Sequence, residues 1–283
     1  MSRPNLGAPV RQRLLNQSRS QGRSDSSTAW RSPVLRRAAA DGLAGRLYPG
    51  QQWTSIWPAG PITAWRTFIH WSARICKVVT EPDGVDFDPA SIQVARIKED
   101  ADYTGVRVRF QATLTRARIP MQIDIGFGDV IVPQPVEVEY PTLLDFPAPI
   151  LIAHPKETVV AEKLEALATL GLLNSRIKDY FDVALLSRLY PFDGRVLVDA
   201  IRATFQHRGT PIEPVPIGLT QTYSSDPARA AQWRAFVRRS RLDSAASLDE
   251  LVAQVRDFSS APLAAAAPDA KFSARWKPGG PWA

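Results

Sequence analysis

The chain has 283 residues, 45% of them hydrophobic, enough to bury one large core or two modest ones and too apolar for a disordered polymer. Its 35 basic residues against 28 acidic ones leave a net charge of +7 and a pI near 9.8, which favours a polyanionic partner such as nucleic acid. A single cysteine, Cys76, excludes an intramolecular disulfide or a Cys-rich zinc cluster and agrees with a reducing compartment. The longest uncharged stretch, Leu47 to Trp65, is interrupted by Pro and Gly, and the start, Met1-Ser2-Arg3-Pro4, lacks an apolar h-region, so a cytoplasmic protein with no membrane association is expected.

Residues 1–25 read as an amphipathic lead-in helix, with Val10, Leu14 and Leu15 at helical spacing among arginines. Residues 26–80 are atypical. Asp41 is their only acid, five of the eight tryptophans fall there (Trp30, Trp53, Trp57, Trp65 and Trp71), and no sustained period of two or 3.6 is read in them. They suit either a Trp-rich loop or lid, or a stretch translated out of frame or damaged, and poor packing is expected.

Residues 81–155 resume a globular pattern as the remainder of a sheet. Turn chemistry runs from Asp83 to Pro89, and Ser91 is placed to cap a short helix through Lys98. Val106, Val108, Phe110, Ala112 and Leu114 alternate with polar residues, as do Ile119, Met121, Ile123 and Ile125, which predicts an antiparallel hairpin turning at Arg116-Ala117-Arg118. Prolines punctuate an extended region from Pro133 to Pro141, residues 143–149 read as a loop, and Pro155 is suited to start a helix. Residues 156–258 read as a helical lobe: helices at 158–173, 176–190 (with Ser175 as N-cap), 195–205, 227–241 and 247–258. The Ala/Pro/Gly-rich residues 259–283 are expected to form a flexible tail.

Three places invite chemistry. Lys163 falls in the apolar stripe of its helix beside Val159, Leu167 and Leu170, where an ammonium must snorkel outward, pair with an acid or meet an anionic ligand. Asp124 projects from the less apolar side of its strand, as a Mg²⁺ ligand or a solvent-facing acid. In Asn174-Ser175-Arg176-Ile177-Lys178-Asp179-Tyr180-Phe181-Asp182, Lys178 and Asp182 suit an i,i+4 pair and Asp179 a helix-dipole partner, while Arg176 and Lys178 equally suit phosphate binding. His70, His154 and His207 share no ligand spacing, and no P-loop, G-x-G-x-x-G or G-x-S-x-G motif occurs.

Four segments, Asp83-Gly84-Val85-Asp86-Phe87, Met121 to Asp129, Ala161-Glu162-Lys163-Leu164-Glu165-Ala166 and Asn174 to Asp182, resemble the AbiEii/AbiGii toxin family in order and spacing. The resemblance implies an α+β fold similar to polymerase β-type nucleotidyltransferases, a mixed sheet flanked by helices with a C-terminal helical lobe. It implies transfer of a nucleotide from an NTP, with Mg²⁺, to an RNA acceptor such as tRNA, in abortive infection or toxin–antitoxin systems, and a cognate antitoxin encoded nearby. By position, Lys163, Asp182 and Asp179 are the catalytic candidates, Lys163, Arg176 and Lys178 the NTP-binding ones, and Asp124 the metal ligand; Asp124, Lys163 and Asp182 are expected to converge on one cleft. The family opens with Gly-Gly or Gly-Ser followed by Asp-x-Asp, and residues 26–80 hold no such acid pair. An incomplete N-terminal part of the sheet and impaired transfer are therefore expected, the alternative being a non-catalytic RNA-binding or antitoxin-binding remnant.

Overall fold

The computed structural model describes residues 53–54, 65–79, 83–99, 103–126, 128–140, 147–240, 242, 246–267 and 270–283. The expected lead-in helix lies outside them, as does most of the atypical 26–80 segment. The chain divides into two compact units: Met1–Asp129 with Val136–Ala153, and Val130–Pro135 with His154–Ala283.

The first unit is built on a sheet of order β1-β4-β3-β2, comprising β1 (Trp53–Thr54), β2 (Val85–Glu99), β3 (Tyr103–Leu114) and β4 (Ala117–Gly126). β3 and β4 are the expected hairpin, Val106 opposite Ile125 and Leu114 opposite Ala117. Strict alternation gives the sheet one apolar face, where Val106, Val108, Phe110, Leu114, Ile123 and Ile125 are buried. Helix α1 (Trp65–Lys77) packs on that face through Phe68, Trp71 and Cys76. Strands β5 (Val136–Glu139) and β6 (Ile150–Ala153) form a separate antiparallel pair.

Two expectations are corrected here. The 26–80 segment does contribute to the core, because positions 68, 71, 72, 75 and 76 recur at helical spacing and bury Ser72, Ile75 and Cys76, while β1 pairs parallel with β4. The helix expected from Ser91 to Lys98 is instead part of β2. The turn chemistry around Pro89 is real but makes an irregularity: the Asp88 carboxylate accepts from Ala90 N (2.9 Å), and Ser91 Oγ donates to the Asp88 carbonyl (2.6 Å) and accepts from Gln111 N (2.8 Å). The β2–β3 register shifts between Asp88 and Gln93 and the strand continues.

The second unit is helical, formed by α2 (Lys156–Leu170), α3 (Ile177–Leu189), α4 (Gly194–Arg208), the short α5 (Gln221–Ser224), α6 (Pro227–Ser240) and α7 (Leu248–Ala266). Pro155 does precede α2. Asn174, rather than Ser175, organises the start of α3, its Oδ1 accepting from Arg176 N (2.7 Å). Asp193 caps α4, and Ser247 with Glu250 forms a capping box on α7. The core collects Leu164, Leu167, Tyr180, Ile201, Phe205 and Phe258, all at most 1% exposed.

The C-terminal stretch is also a correction, for it is packed. Helix α7 continues past residue 258 through Pro262, which has no N–H to donate, so the carbonyl four residues back is released. That carbonyl, of Phe258, accepts from Trp282 Nε1 at 2.8 Å. Strand β8 (Arg275–Trp276) pairs with β7 (Phe192–Asp193), and Trp276, 5% exposed, donates from Nε1 to the Ser187 carbonyl (2.7 Å) and meets the Phe258 ring edge-on at 5.0 Å. Widely spaced aromatic anchors, not a periodic pattern, hold this stretch.

Candidate functional site

In the second unit, α2 presents Lys163 toward α3, whose Asp179 and Asp182 stand three residues apart on one side of the helix. Lys163 Nζ lies 2.6 Å from Asp179 Oδ1 and 2.8 Å from Asp182 Oδ2, and all three side chains are only 16–18% exposed. Burial works to lower the Lys163 pKa, but the two carboxylates beside it outweigh that effect and hold it above the ordinary lysine value. Lys178 completes the cluster from the solvent side by pairing with Asp182. Arg176 is exposed at the head of α3. Lys163 therefore pairs with acids instead of snorkelling, and the i,i+4 pair of Lys178 with Asp182 coexists with that arrangement. Two of the three ammonium donors of Lys163 go to these carboxylates, leaving one, beside the exposed Arg176 and Lys178 at the start of α3, for an anionic oxygen.

Asp124 belongs to the first unit and has a different environment. Arg107, directly opposite on β3, grips it with Nε to Oδ1 at 2.7 Å and Nη2 to Oδ2 at 2.8 Å, and Gln122 Nε2 adds 3.1 Å to Oδ2. A guanidinium fork neutralises a carboxylate and occupies the lone pairs a cation would use. Among the described residues no three His, Cys, Asp or Glu side chains gather to hold a metal ion. The described residues therefore do not by themselves fit the Mg²⁺ that the resemblance implies.

Glu165, which helical spacing assigns to the solvent side of α2, is 4% exposed and was missed as an interior group. Its carboxylate accepts from Thr169 and Thr210 hydroxyls (2.7 Å each) and from Arg208 Nη1 (2.6 Å). Burial pushes its pKa up, yet these hydrogen bonds and the Arg208 charge prevail and leave it lowered. A lowered folded pKa gives stability that is full above the unfolded value of 4.5 and lost as pH falls through the folded one. Glu165→Gln is expected to cost about 1.5 kcal/mol at pH 7 and to flatten stability below that value; denaturation midpoints between pH 3 and 7 test it, and parallel pH profiles for variant and parent would contradict it. Desolvation of the partly buried His154 pushes its pKa down to about 4, so its approach to Glu162 (3.6 Å) is made as a neutral ring near pH 7.

A family model described as nucleotidyl transferase AbiEii toxin, type IV toxin–antitoxin system, matches residues 69–254, more than half of the chain. The protein is thus of the nucleotidyltransferase class, with the α+β sheet and helical lobe expected of it. It belongs to the AbiEii toxin family, in which a toxin is paired with an antitoxin. No curated protein matches. Similar solved structures include a candidate nucleotidyltransferase from H. pylori (14% identity, 85% of this chain and 95% of that chain, TM-score 0.40) and JHP933 from Helicobacter pylori (13% identity, 84% and 88%, TM-score 0.39). Among the described residues no helix is long and apolar enough to cross a membrane.

Proposed function

We propose that this chain is a cytoplasmic toxin that binds an NTP through Lys163, Arg176 and Lys178, with RNA as acceptor and a cognate antitoxin as partner, and that its nucleotidyl transfer is impaired. The observation carrying this reading is the clasp of Lys163 between Asp179 and Asp182, which joins two of the four family-like segments. In-line attack on an α-phosphate needs several converging oxygens to hold its metal ions. Residues 26–80 supply no Asp-x-Asp pair, and Asp124 is committed to Arg107. On this reading Lys163 steadies the phosphates, Asp179 and Asp182 fix the ammonium, and phosphate binding outlasts transfer.

The Arg107–Asp124 fork favours a second reading, a non-catalytic remnant that binds RNA or antitoxin. One experiment separates the two. The chain is incubated with labelled NTPs, Mg²⁺ and total RNA. Trace labelling that rises when a family-like Gly-Ser and Asp-x-Asp segment replaces residues 26–80, and that disappears in Lys163→Met, is expected. RNA binding with no labelling by either chain would establish the remnant, and robust labelling by the unaltered chain would overturn the impairment.

A further inference from the structure

We infer that the exposed face of α6 is the surface on which the RNA acceptor docks, its arginines gripping the phosphate backbone; this rests on the reading of RNA as acceptor. α6 (Pro227–Ser240) contains four arginines and no acid. Its Trp233 is buried, 3% exposed, and with Phe236 packs against Phe181 of α3 at ring separations of 6.4 and 5.7 Å. Trp233 Nε1 is held by the Ala246 carbonyl at 2.8 Å, so the helix is fixed in orientation. Arg229 is committed to Asp226 and to the Tyr223 ring, 4.7 Å away.

The other three arginines have no such employment. Arg234, Arg238 and Arg239 are exposed, and among the described residues they make no ion pair. Arg234 and Arg238 lie one turn apart on the same side, and Arg241 extends the run in the sequence. A solvated helix usually interleaves charges of both signs, which this one does not. Guanidinium groups fork phosphate oxygens better than a point ammonium does, so an all-arginine face is suited to a phosphate backbone. Position adds to this: Phe181, the seat of α6, is three residues from Lys178 and adjacent to Asp182 in α3. A strand gripped along α6 is thereby held beside the Lys163 cluster, where an acceptor must be.

Labelled tRNA binding, followed by fluorescence anisotropy from 50 to 300 mM salt, tests this on the full chain. Each phosphate contact contributes about 0.7 to 0.9 to the log–log salt slope, so the triple variant R234Q/R238Q/R239Q should lose about two units of slope and bind roughly ten-fold more weakly at 100 mM salt. Single variants should each lose just under one unit, and the triple Arg→Lys variant should keep most of the slope, all with an unchanged melting temperature. An unaltered slope in the triple Gln variant would overturn the proposal. So would loss of binding to polyglutamate with tRNA binding intact, which would assign the face to an acidic protein. Arginine-dependent tRNA binding with no nucleotide transfer from any NTP, even by a chain in which a family-like Asp-x-Asp segment replaces residues 26–80, would sink the transferase reading and leave this surface standing; transfer to RNA that is indifferent to the three arginines would do the reverse.

Discussion

Lys163→Met should destabilise the second unit by about 3 kcal/mol at pH 7, since breaking a largely buried ion cluster leaves its other charges uncompensated. Methionine keeps the length of the side chain, so the loss reports the ammonium and not a cavity. Asp179 and Asp182, with 16% and 18% of their side chains exposed, would face each other with only the half-exposed Lys178 to answer Asp182. The pH dependence provides a second reading. A lysine whose folded pKa is raised above the unfolded 10.5 contributes fully below that value and loses its contribution as pH climbs through the folded one. The gap between parent and variant should accordingly be level from about pH 6 to 10, narrowing above 10.5. Urea unfolding across this range measures it, and a variant within about 0.5 kcal/mol of the parent at pH 7 would show that the clasp is not a structural element.

Trp276→Ala should cost still more, about 3 to 5 kcal/mol, and lower the melting temperature by on the order of 10 °C. The indole is 5% exposed, sits against Phe258 and Trp282 at 5.0 and 5.4 Å, and donates to the Ser187 carbonyl. Truncation would empty a large volume and leave that buried carbonyl without its donor. Nothing nearby can flow into the gap cheaply, because the backbone of Gly280 is already pressed on the ring: a Cβ there would stand 2.5 Å from it. Thermal unfolding followed by circular dichroism decides the matter, and a loss below about 1 kcal/mol would mean that the C-terminal stretch adds little.

The sequence was most informative where one element carries its own period. The β3–β4 hairpin and the helices of the second unit are legible because each apolar residue is spaced by the geometry of its own element. Helix α1 was equally periodic, but two of its five inward positions are Ser72 and Cys76, and the surrounding tryptophans and arginines obscured the stripe. β2 was lost because Pro89 and Ser91 signal a boundary locally, whereas the ladder to β3 carries the strand across it. The C-terminal anchors have partners nearly a hundred residues away, such as Ser187 for Trp276, and no local window contains them.

The same divide runs through the candidate site. That Lys163 needed anionic company follows from its place in an apolar stripe, but that both Asp179 and Asp182 provide it requires knowing how α2 and α3 pack. The Arg107–Asp124 fork is readable only after the hairpin register is fixed, since it joins residues opposite one another. The burial of Glu165 is not readable from its own helix, because Arg208 and Thr210, which cover it, come from the far end of α4 and the turn beyond.

The division of the chain into units has a practical corollary for anyone cutting it. The backbone passes from one unit to the other after Asp129, after Pro135 and after Ala153. Six residues of the helical unit are therefore borrowed from ahead of the β5–β6 hairpin, and one of them, Val132, supplies the carbonyl that accepts from Thr158 Oγ1 at 2.7 Å in the first turn of α2. An expression fragment beginning at His154 would retain every helix of the helical unit yet strand the fully buried Thr158 hydroxyl. No single protease nick or gene boundary divides this polypeptide into its two halves.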